Sequence, residues 1–278
     1  MLADYHVHTD FSDDSSYEMK DAVADAVGLG LTEICFTDHV DYGVKQDWPL
    51  SPDVPYRDGK PLANVDYTLY VKTIRELQAA YGGQISIKMG LEFGMQTHTI
   101  EKYESLFRRY PFDFILLSVH EIDDKELWTQ AFQRGRTQDE YNLRYYEELL
   151  ALVKRCKSYS VLGHLDLISR YDLQGPYPFE KIKPAVSEIL KTVIGDGKGI
   201  EVNTSGRRYG LNDLTPSTDI LKLYRELGGT VLTIGSDSHE KKHLGAYIAE
   251  TKRLLLDLGF DTYCTYSKMK PSYHLLKE

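Results

Sequence analysis

The sequence opens with the stretch DYHVHT at residues 4–9, in which two histidines are separated by one residue. On a β-strand alternate side chains point to the same face, so His6 and His8 would lie side by side and together hold one cation. Taken alone, this spacing is more often an incidental histidine pair than a metal site. Its interpretation therefore depends on what recurs farther along the chain.

The composition indicates a globular protein without a broad basic surface. The chain has 278 residues, 42% hydrophobic and 27% charged, with a formal net charge of −9. A chain of this length is long enough for one α/β barrel with a large buried core. We expect no stable nucleic-acid partner and no membrane surface, because both need positive charge. A small anionic substrate is not excluded, provided that local cations offset the negative field of the protein.

The cysteines and the first residues favour a cytoplasmic protein. Cys35, Cys156 and Cys264 lack paired metal-ligand spacing, so we expect reduced thiols rather than a disulfide framework. The chain starts with no basic segment followed by an apolar one, and no later apolar run approaches the length of a membrane span. We therefore expect the protein to stay where it is made.

Seven strand-then-helix units follow one another along the chain. The predicted strands are residues 2–6, 33–37, 85–91, 112–119, 159–163, 199–202 and 229–234. Apolar residues at helical spacing lie between them, and a capping box from Ser15 to Glu18 predicts the start of the first helix. Such units without a linker predict a parallel sheet that closes into a barrel, one domain over residues 1–278. The tail after Gly259 shows no clear pattern.

One long segment interrupts this repeat. Residues 40–63 contain prolines and aspartates and show neither helical nor strand periodicity. A loop of this length is usually a lid or a binding loop. We expect it to contain residues that recognise the organic part of a ligand.

Histidines and acidic residues follow the predicted strands. They are His6, His8, His39, Glu92, His120, His164, Asp237 and His239. The carboxyl ends of barrel strands meet on one face, which is where such barrels build their active sites. A ring of histidines there is difficult to explain as packing, because buried imidazoles need partners and repel one another when protonated.

The chemistry of these side chains predicts more than one metal ion. Imidazole mixed with carboxylate suits Zn, Fe or Mn better than Ca or Mg. Eight ligands exceed one site, so we expect two to three divalent ions with Glu92 bridging a pair. Asp13 or Asp14, just past His8, would close a third site, although a solvated acidic loop explains these two residues equally well.

Taken together, these motifs resemble the polymerase and histidinol phosphatase (PHP) superfamily. The matching segments are HVHT at 6–9, TDH at 37–39, Glu92, His120, GHLD at 163–166 and GSDSH at 235–239. The resemblance covers essentially the whole chain. It implies a distorted (β/α)7 TIM-like barrel with a trinuclear metal centre on the carboxyl-terminal rim.

By position, the resemblance also implies a distribution of the ligands. The first metal would take His6, His8, Glu92 and Asp237, the second would share Glu92 with His120 and His164, and the third would take Asp14, His39 and His239. Many relatives place a histidine where Asp14 stands. The third site would therefore have a harder set of ligand atoms and would hold its ion more weakly.

Two longer segments, GHLDLISRY at 163–171 and EVNTSGR at 201–207, resemble the histidinol-phosphate phosphatase branch of that superfamily. Guanidinium groups bind phosphoryl oxygens in a planar fork and a hydroxyl adds a further hydrogen bond, so Arg170, Arg207 and Ser205 are the phosphate-binding candidates. The alternative for each arginine is a salt bridge at the rim, and Arg208 competes with Arg207.

Asp38 and Asp166 are the remaining acidic candidates. Asp38, Asp166 or a metal-bound water would protonate the leaving group. For Asp166 we favour a different role, in which its carboxylate hydrogen-bonds a ligand histidine and fixes the orientation of the ring.

The branch resemblance implies hydrolysis of L-histidinol phosphate to L-histidinol and phosphate in histidine biosynthesis. A water bridging two divalent ions would lose a proton near neutral pH, and the resulting hydroxide would attack phosphorus in line. The first alternative is a related phosphoesterase acting on nucleotide or oligonucleotide phosphates. An amidohydrolase barrel also begins with His-x-His but fits Glu92 poorly. A silent module attached to a polymerase is disfavoured because no ligand is missing. The oligomeric state stays open.

Overall fold

The computed structural model describes residues 1–277, in which strands and helices alternate. The strands are β1 (Ala3–Val7), β2 (Glu33–Phe36), β3 (His39–Val40), β4 (Tyr56–Arg57), β5 (Lys60–Pro61), β6 (Ser86–Gly94), β7 (Phe114–Ser118), β8 (Glu121–Ile122), β9 (Lys125–Glu126), β10 (Val161–Leu162), β11 (Gly199–Asn203), β12 (Leu232–Gly235), β13 (Thr262–Ser267) and β14 (Lys270–Leu275). The helices are α1 (Met19–Gly28), α2 (Tyr67–Tyr81), α3 (Ile100–Arg109), α4 (Gln138–Arg155), α5 (Phe179–Gly195), α6 (Thr218–Glu226) and α7 (Ile248–Asp257). Among these residues no helix is long and apolar enough to cross a membrane.

Seven parallel strands form the barrel in the order β1-β2-β6-β7-β10-β11-β12. Strands such as β2 and β7 are buried at every position, as expected for parallel strands covered on both faces. The two ends of the sheet meet where His8 N donates to Ser238 O over 2.8 Å. The predicted α/β (β/α)7 barrel is therefore confirmed.

Two local predictions near the rim were wrong. The helix α1 begins at Met19, and Glu18 at its N-cap makes no side-chain capping bond. Ser15 Oγ donates instead to His239 O, because residues 10–17 run over the rim rather than into a helix. Glu92 does not end its strand either, since β3 pairs with β6 in the register His39↔Glu92 and prolongs β6 to Gly94.

The two segments without periodicity contain short hairpins. Residues 40–63 include the antiparallel pair β4–β5, and the tail forms the antiparallel pair β13–β14. In the tail, Met269 N donates to Asp113 O and Tyr266 Oη donates to Ser160 O. Since Asp113 and Ser160 precede their strands, the tail covers the amino-terminal end of the barrel, opposite the rim that carries the histidines.

Candidate metal centre

The predicted ligands gather at the carboxyl-terminal rim, at the base of a cavity of about 360 Å³. Seven of them line the cavity: Asp14, His39, Glu92, His120, His164, Asp237 and His239. His6 and His8 lie fully buried in contact with these residues. The barrel thus brings all nine predicted ligands together from positions spread over the whole sequence.

Glu92 is at the centre of the cluster, and its two carboxylate oxygens face different histidines. Oε1 lies 2.6 Å from His164 Nε2 and 3.1 Å from His120 Nε2. Oε2 lies 3.1 Å from His6 Nε2 and 3.2 Å from His39 Nδ1. A carboxylate with one oxygen turned to each of two groups of imidazoles has the geometry of a bridging ligand.

A second carboxylate closes the side of the cluster next to His6 and His8. The Nε2 atoms of these two histidines are 2.9 Å apart, as their spacing on one strand predicts. Asp237 Oδ1 lies 3.4 Å from His8 Nε2 and 3.6 Å from His6 Nε2. These donors converge on one volume, and all three side chains are buried.

Asp14, His39 and His239 form the outer part of the cluster. Asp14 Oδ2 lies 3.4 Å from His39 Nε2 and 3.2 Å from His239 Nε2. The His8 ring stacks between those of His39 and His239, with centroids 4.2 and 4.1 Å away. Unlike the inner residues, Asp14 has a side chain that is 51% exposed.

The donor set fits divalent cations. His39 Nδ1 is buried near Glu92 without a hydrogen bond, so this nitrogen is available as a ligand. Burial and the neighbouring His239 and His39 lower the pKa of His8, which leaves it in the neutral form that binds metals. Burial alone would raise the pKa of Glu92, but His6, His120 and His164 hold it well below its ordinary value. His8 therefore offers a neutral imidazole beside the ionised Glu92, whereas Glu201 and Glu92 outweigh burial and raise the pKa of His6, which would release a proton on binding Zn, Mn or Fe.

Two carboxylates behind the ligands hold them in place. Glu201 Oε1 lies 2.5 Å from His6 Nδ1, and its Oε2 accepts from His164 N over 2.9 Å. Asp41 Oδ1 lies 2.8 Å from His120 Nδ1. A carboxylate on the far nitrogen of a ligand histidine fixes the ring and its tautomer.

Arg170 and Ser205 lie beside this cluster. Arg170 Nη2 donates to Ser205 Oγ and, over 3.2 Å, to Asp237 Oδ2, while its guanidinium stacks on Tyr209 at 4.1 Å. Ser205 Oγ also lies 3.0 Å from Asp237 Oδ2. An arginine fixed next to a candidate metal ligand can donate to an anionic group such as a phosphate.

The family model for the PHP domain matches residues 4–205 of this chain. The chain belongs to the PHP domain family. The resemblance inferred from the motifs is therefore confirmed.

Individual relatives of this PHP protein match it over nearly its whole length. The chain is 33% identical to a protein of Lactococcus lactis named histidinol-phosphatase, over 96% of this chain and 95% of that one. It is 30% identical to a probable histidinol-phosphatase of Clostridium acetobutylicum, over 88% and 89% of the two chains.

A solved structure of histidinol phosphate phosphatase from Lactococcus lactis, complexed with Zn, L-histidinol and phosphate, has the same fold. It superposes with a TM-score of 0.81 at 30% identity over 98% of each chain. A putative histidinol phosphatase from Listeria monocytogenes superposes with a TM-score of 0.72 at 20% identity, over 88% of this chain and 98% of that one, which shows the fold alone.

The PHP domain does not bring every predicted residue to the cavity. Arg207 points outward from the turn that contains it, and its guanidinium lies over Tyr247 at 5.0 Å. The neighbouring Arg208 donates to Ser236 O and Asp237 O over 2.6 and 2.7 Å, so it supports the ligand loop from its backbone side.

Asp38 and Asp166 also lie outside the residues that line the cavity. Asp38 accepts from Thr9 N and Ser12 Oγ, which fixes the loop after β1, and burial raises its pKa to about 6. Asp166 accepts from Ser217 N over 2.9 Å, and burial raises its pKa to about 7. Their hydrogen bonds stabilise loops and do not place either carboxyl group at a leaving group in the cavity.

Sequence reasoning missed Asp41 and Glu201 as partners of the histidines. Asp41 stands two residues after His39, and Glu201 opens a segment already matched to the family, so both were visible as acidic residues near strand ends. Their pairing with His120 and His6 joins residues far apart in sequence, and only the closed barrel shows it.

Proposed function

We propose that this PHP enzyme hydrolyses L-histidinol phosphate to L-histidinol and phosphate in histidine biosynthesis. The observation that carries the proposal is the convergence of nine candidate metal ligands, seven of which line one cavity together with Arg170. The relatives named above support the substrate, because a similar chain over nearly its full length is a histidinol-phosphatase. A structural neighbour holds L-histidinol, phosphate and Zn together.

The proposed cofactors are two to three divalent ions, Zn, Mn or Fe. Glu92 would bridge a pair completed by His6, His8 and Asp237 on one side and by His120 and His164 on the other. Asp14, His39 and His239 would hold the third. When bound, such ions lower the pKa of water and offset the charge of the phosphoryl oxygens.

The chain itself orients the phosphoryl group. Arg170 would donate its free N–H groups to the phosphoryl oxygens, and stacking on Tyr209 limits its rotation. Ser205 and Asp237 fix the other edge of the guanidinium. The substrate is therefore held in one orientation next to the ligand cluster.

The cysteines and the net charge support proposals about the cellular location and the partners. We propose a cytoplasmic enzyme, supported by three buried cysteines without disulfides. A small phosphomonoester is its partner, and the net charge of −9 argues against stable nucleic-acid binding.

Phosphate release from a panel of phosphomonoesters tests the proposal. The protein is loaded with Zn, Mn or Fe and assayed with L-histidinol phosphate and with adenosine monophosphate. We expect L-histidinol phosphate to have the highest kcat/KM. Turnover of adenosine monophosphate without turnover of L-histidinol phosphate would contradict the proposed substrate.

A further inference from the structure

One acidic and one basic side chain in the cavity each have a buried atom without a hydrogen-bond partner in the part of the chain that the structure describes. They are Arg170, through Nε, and Glu121, through Oε1. Buried charged groups are normally paired, because an unpaired one destabilises the fold. The other such atoms on the cavity wall are ring nitrogens of His39 and His164, which belong to the candidate metal ligands. One carboxyl oxygen of Glu121 and the Nε–H of Arg170 therefore remain for a ligand.

The position of Glu121 makes its lack of a partner more costly. It lies in the hairpin β8–β9 directly opposite Glu126, and residues opposite each other in an antiparallel pair point to the same face. Like charges at such positions destabilise the pair. Glu126 is neutralised by Arg57, whose two terminal nitrogens each donate to one of its oxygens over 3.0 Å. Among residues 1–277, no lysine or arginine forms such an ion pair with Glu121.

The nearest cations are already engaged. The charged groups around Glu121 are those of Asp41, His120, Lys45 and Glu126. Lys45 Nζ lies 2.6 Å from Asp13 and 2.7 Å from Asp41, and the Nδ1 atom of His120 also faces Asp41. The cations of this wall are therefore already paired with carboxylates other than Glu121.

An apolar surface adjoins this wall. Trp128 lines the same cavity, is 48% exposed, and is fixed by the guanidinium of Arg57 at 4.5 Å. A flat aromatic ring next to a carboxylate suits a ligand with a protonated amine and a planar ring.

We infer that Glu121 binds the protonated amine of the substrate and makes the enzyme selective for phosphomonoesters that carry an ammonium group. The inference rests on the proposed function and deepens it, because L-histidinol phosphate is such a compound. Arg170 takes the anionic end, and Glu121 takes the cationic end. Arg57 holds Glu126 and Trp128 in place on the same wall.

The test compares two substrates in the Glu121→Gln variant, which keeps the shape of the side chain and removes its charge. The substrates are L-histidinol phosphate and imidazolylpropyl phosphate, which lacks the amine. We expect kcat/KM for L-histidinol phosphate to fall by about tenfold to a hundredfold, mainly through KM, the range of one charged hydrogen bond. Values for imidazolylpropyl phosphate should stay unchanged. An equal change on both substrates, or none on either, would overturn the inference.

Further measurements separate this inference from the proposed function. Glu121→Asp keeps the charge and should keep part of the preference for the amine, while Glu188→Gln on the exposed face of α5 serves as the matched control. Calorimetry with L-histidinol needs no turnover, and Glu121→Gln should weaken binding by the same factor. Wild-type protein that binds L-histidinol through Glu121 but releases no phosphate from its ester would reject the proposed function alone.

Discussion

The inner and outer parts of the ligand cluster are held by different means. The side chains of His6, Glu92 and His164 are at most 3% exposed, and they come from barrel strands or their immediate ends. The outer residues are more open, with Asp14 at 51% and His239 at 20%. The sheet register fixes the inner positions, whereas loop contacts fix the outer ones. Ions held by the inner residues should therefore bind more tightly than an ion held by the outer residues.

The long segment of residues 40–63 is the main support of the outer part. Its Lys60 Nζ donates to Ser12 O over 3.0 Å and also to Ser15 O. Its Lys45 Nζ donates to Asp13 Oδ1 over 2.6 Å. Both lysines hold the turn that contains Asp14, so this segment braces a ligand loop as well as lining the cavity.

Glu92→Gln should have the largest effect, because both of its oxygens face inner histidines. We expect phosphate release to fall by about a thousandfold or more, since several kcal/mol of charge stabilisation are lost with the metals. Metal content measured by mass spectrometry should fall in parallel, with the far-UV circular dichroism unchanged. A metal-free variant that kept most of its activity would show that the inner cluster is not the reaction centre.

Glu201→Gln should weaken metal binding without removing a ligand. Its carboxylate fixes the ring of His6 and the backbone of His164. Loss of a partner of this kind costs about tenfold to a hundredfold in metal affinity. Competition with a chromogenic chelator measures the change, and an affinity equal to that of the wild type would show that the sheet alone orients His6.

Gly94→Ala should disturb the inner part through packing. A Cβ atom there would lie 2.1 Å from Asp41 Oδ1 and 2.8 Å from His120 Nδ1, so the pair must shift. We expect a loss of about 1–3 kcal/mol in the free energy of unfolding, typical of overpacking. Denaturant titration measures it. The matched control is Gly28→Ala in α1, where nothing lies within 4 Å of the added atom and no loss is expected.

Lys60→Met should have the smallest effect, confined to the outer part. The turn at residues 12–15 loses its support while every ligand stays in place. We expect an ion at the outer residues to bind severalfold more weakly. This loss of affinity is smaller than the one expected when a direct hydrogen-bond partner of a ligand is removed. Metal titration by calorimetry tests this against Lys191→Met, which removes an exposed lysine on α5. Weaker binding of the inner ions would contradict the division into two parts.

The inner and outer parts also differ in how well the sequence predicted them. The seven barrel strands and the histidines at their ends follow from periodicity and local order, so these predictions held. Ser15 was misassigned because its partner, His239 O, lies at the other end of the chain. The orientation of Arg207 depends on a short turn, and the β4–β5 hairpin carries little apolar signal. Contacts between distant loops have no local pattern in the sequence.

Stepwise removal of metal by a chelator, with bound metal and phosphate release from L-histidinol phosphate followed together, examines whether the inner and outer residues hold metal with different affinity. We expect one ion to leave first at low chelator concentration and the remaining pair to leave only at much higher concentration, with phosphate release ending when that pair leaves. Loss of all ions in a single step would show that the two parts do not differ, and phosphate release by the metal-free protein would show that the cluster is not the reaction centre.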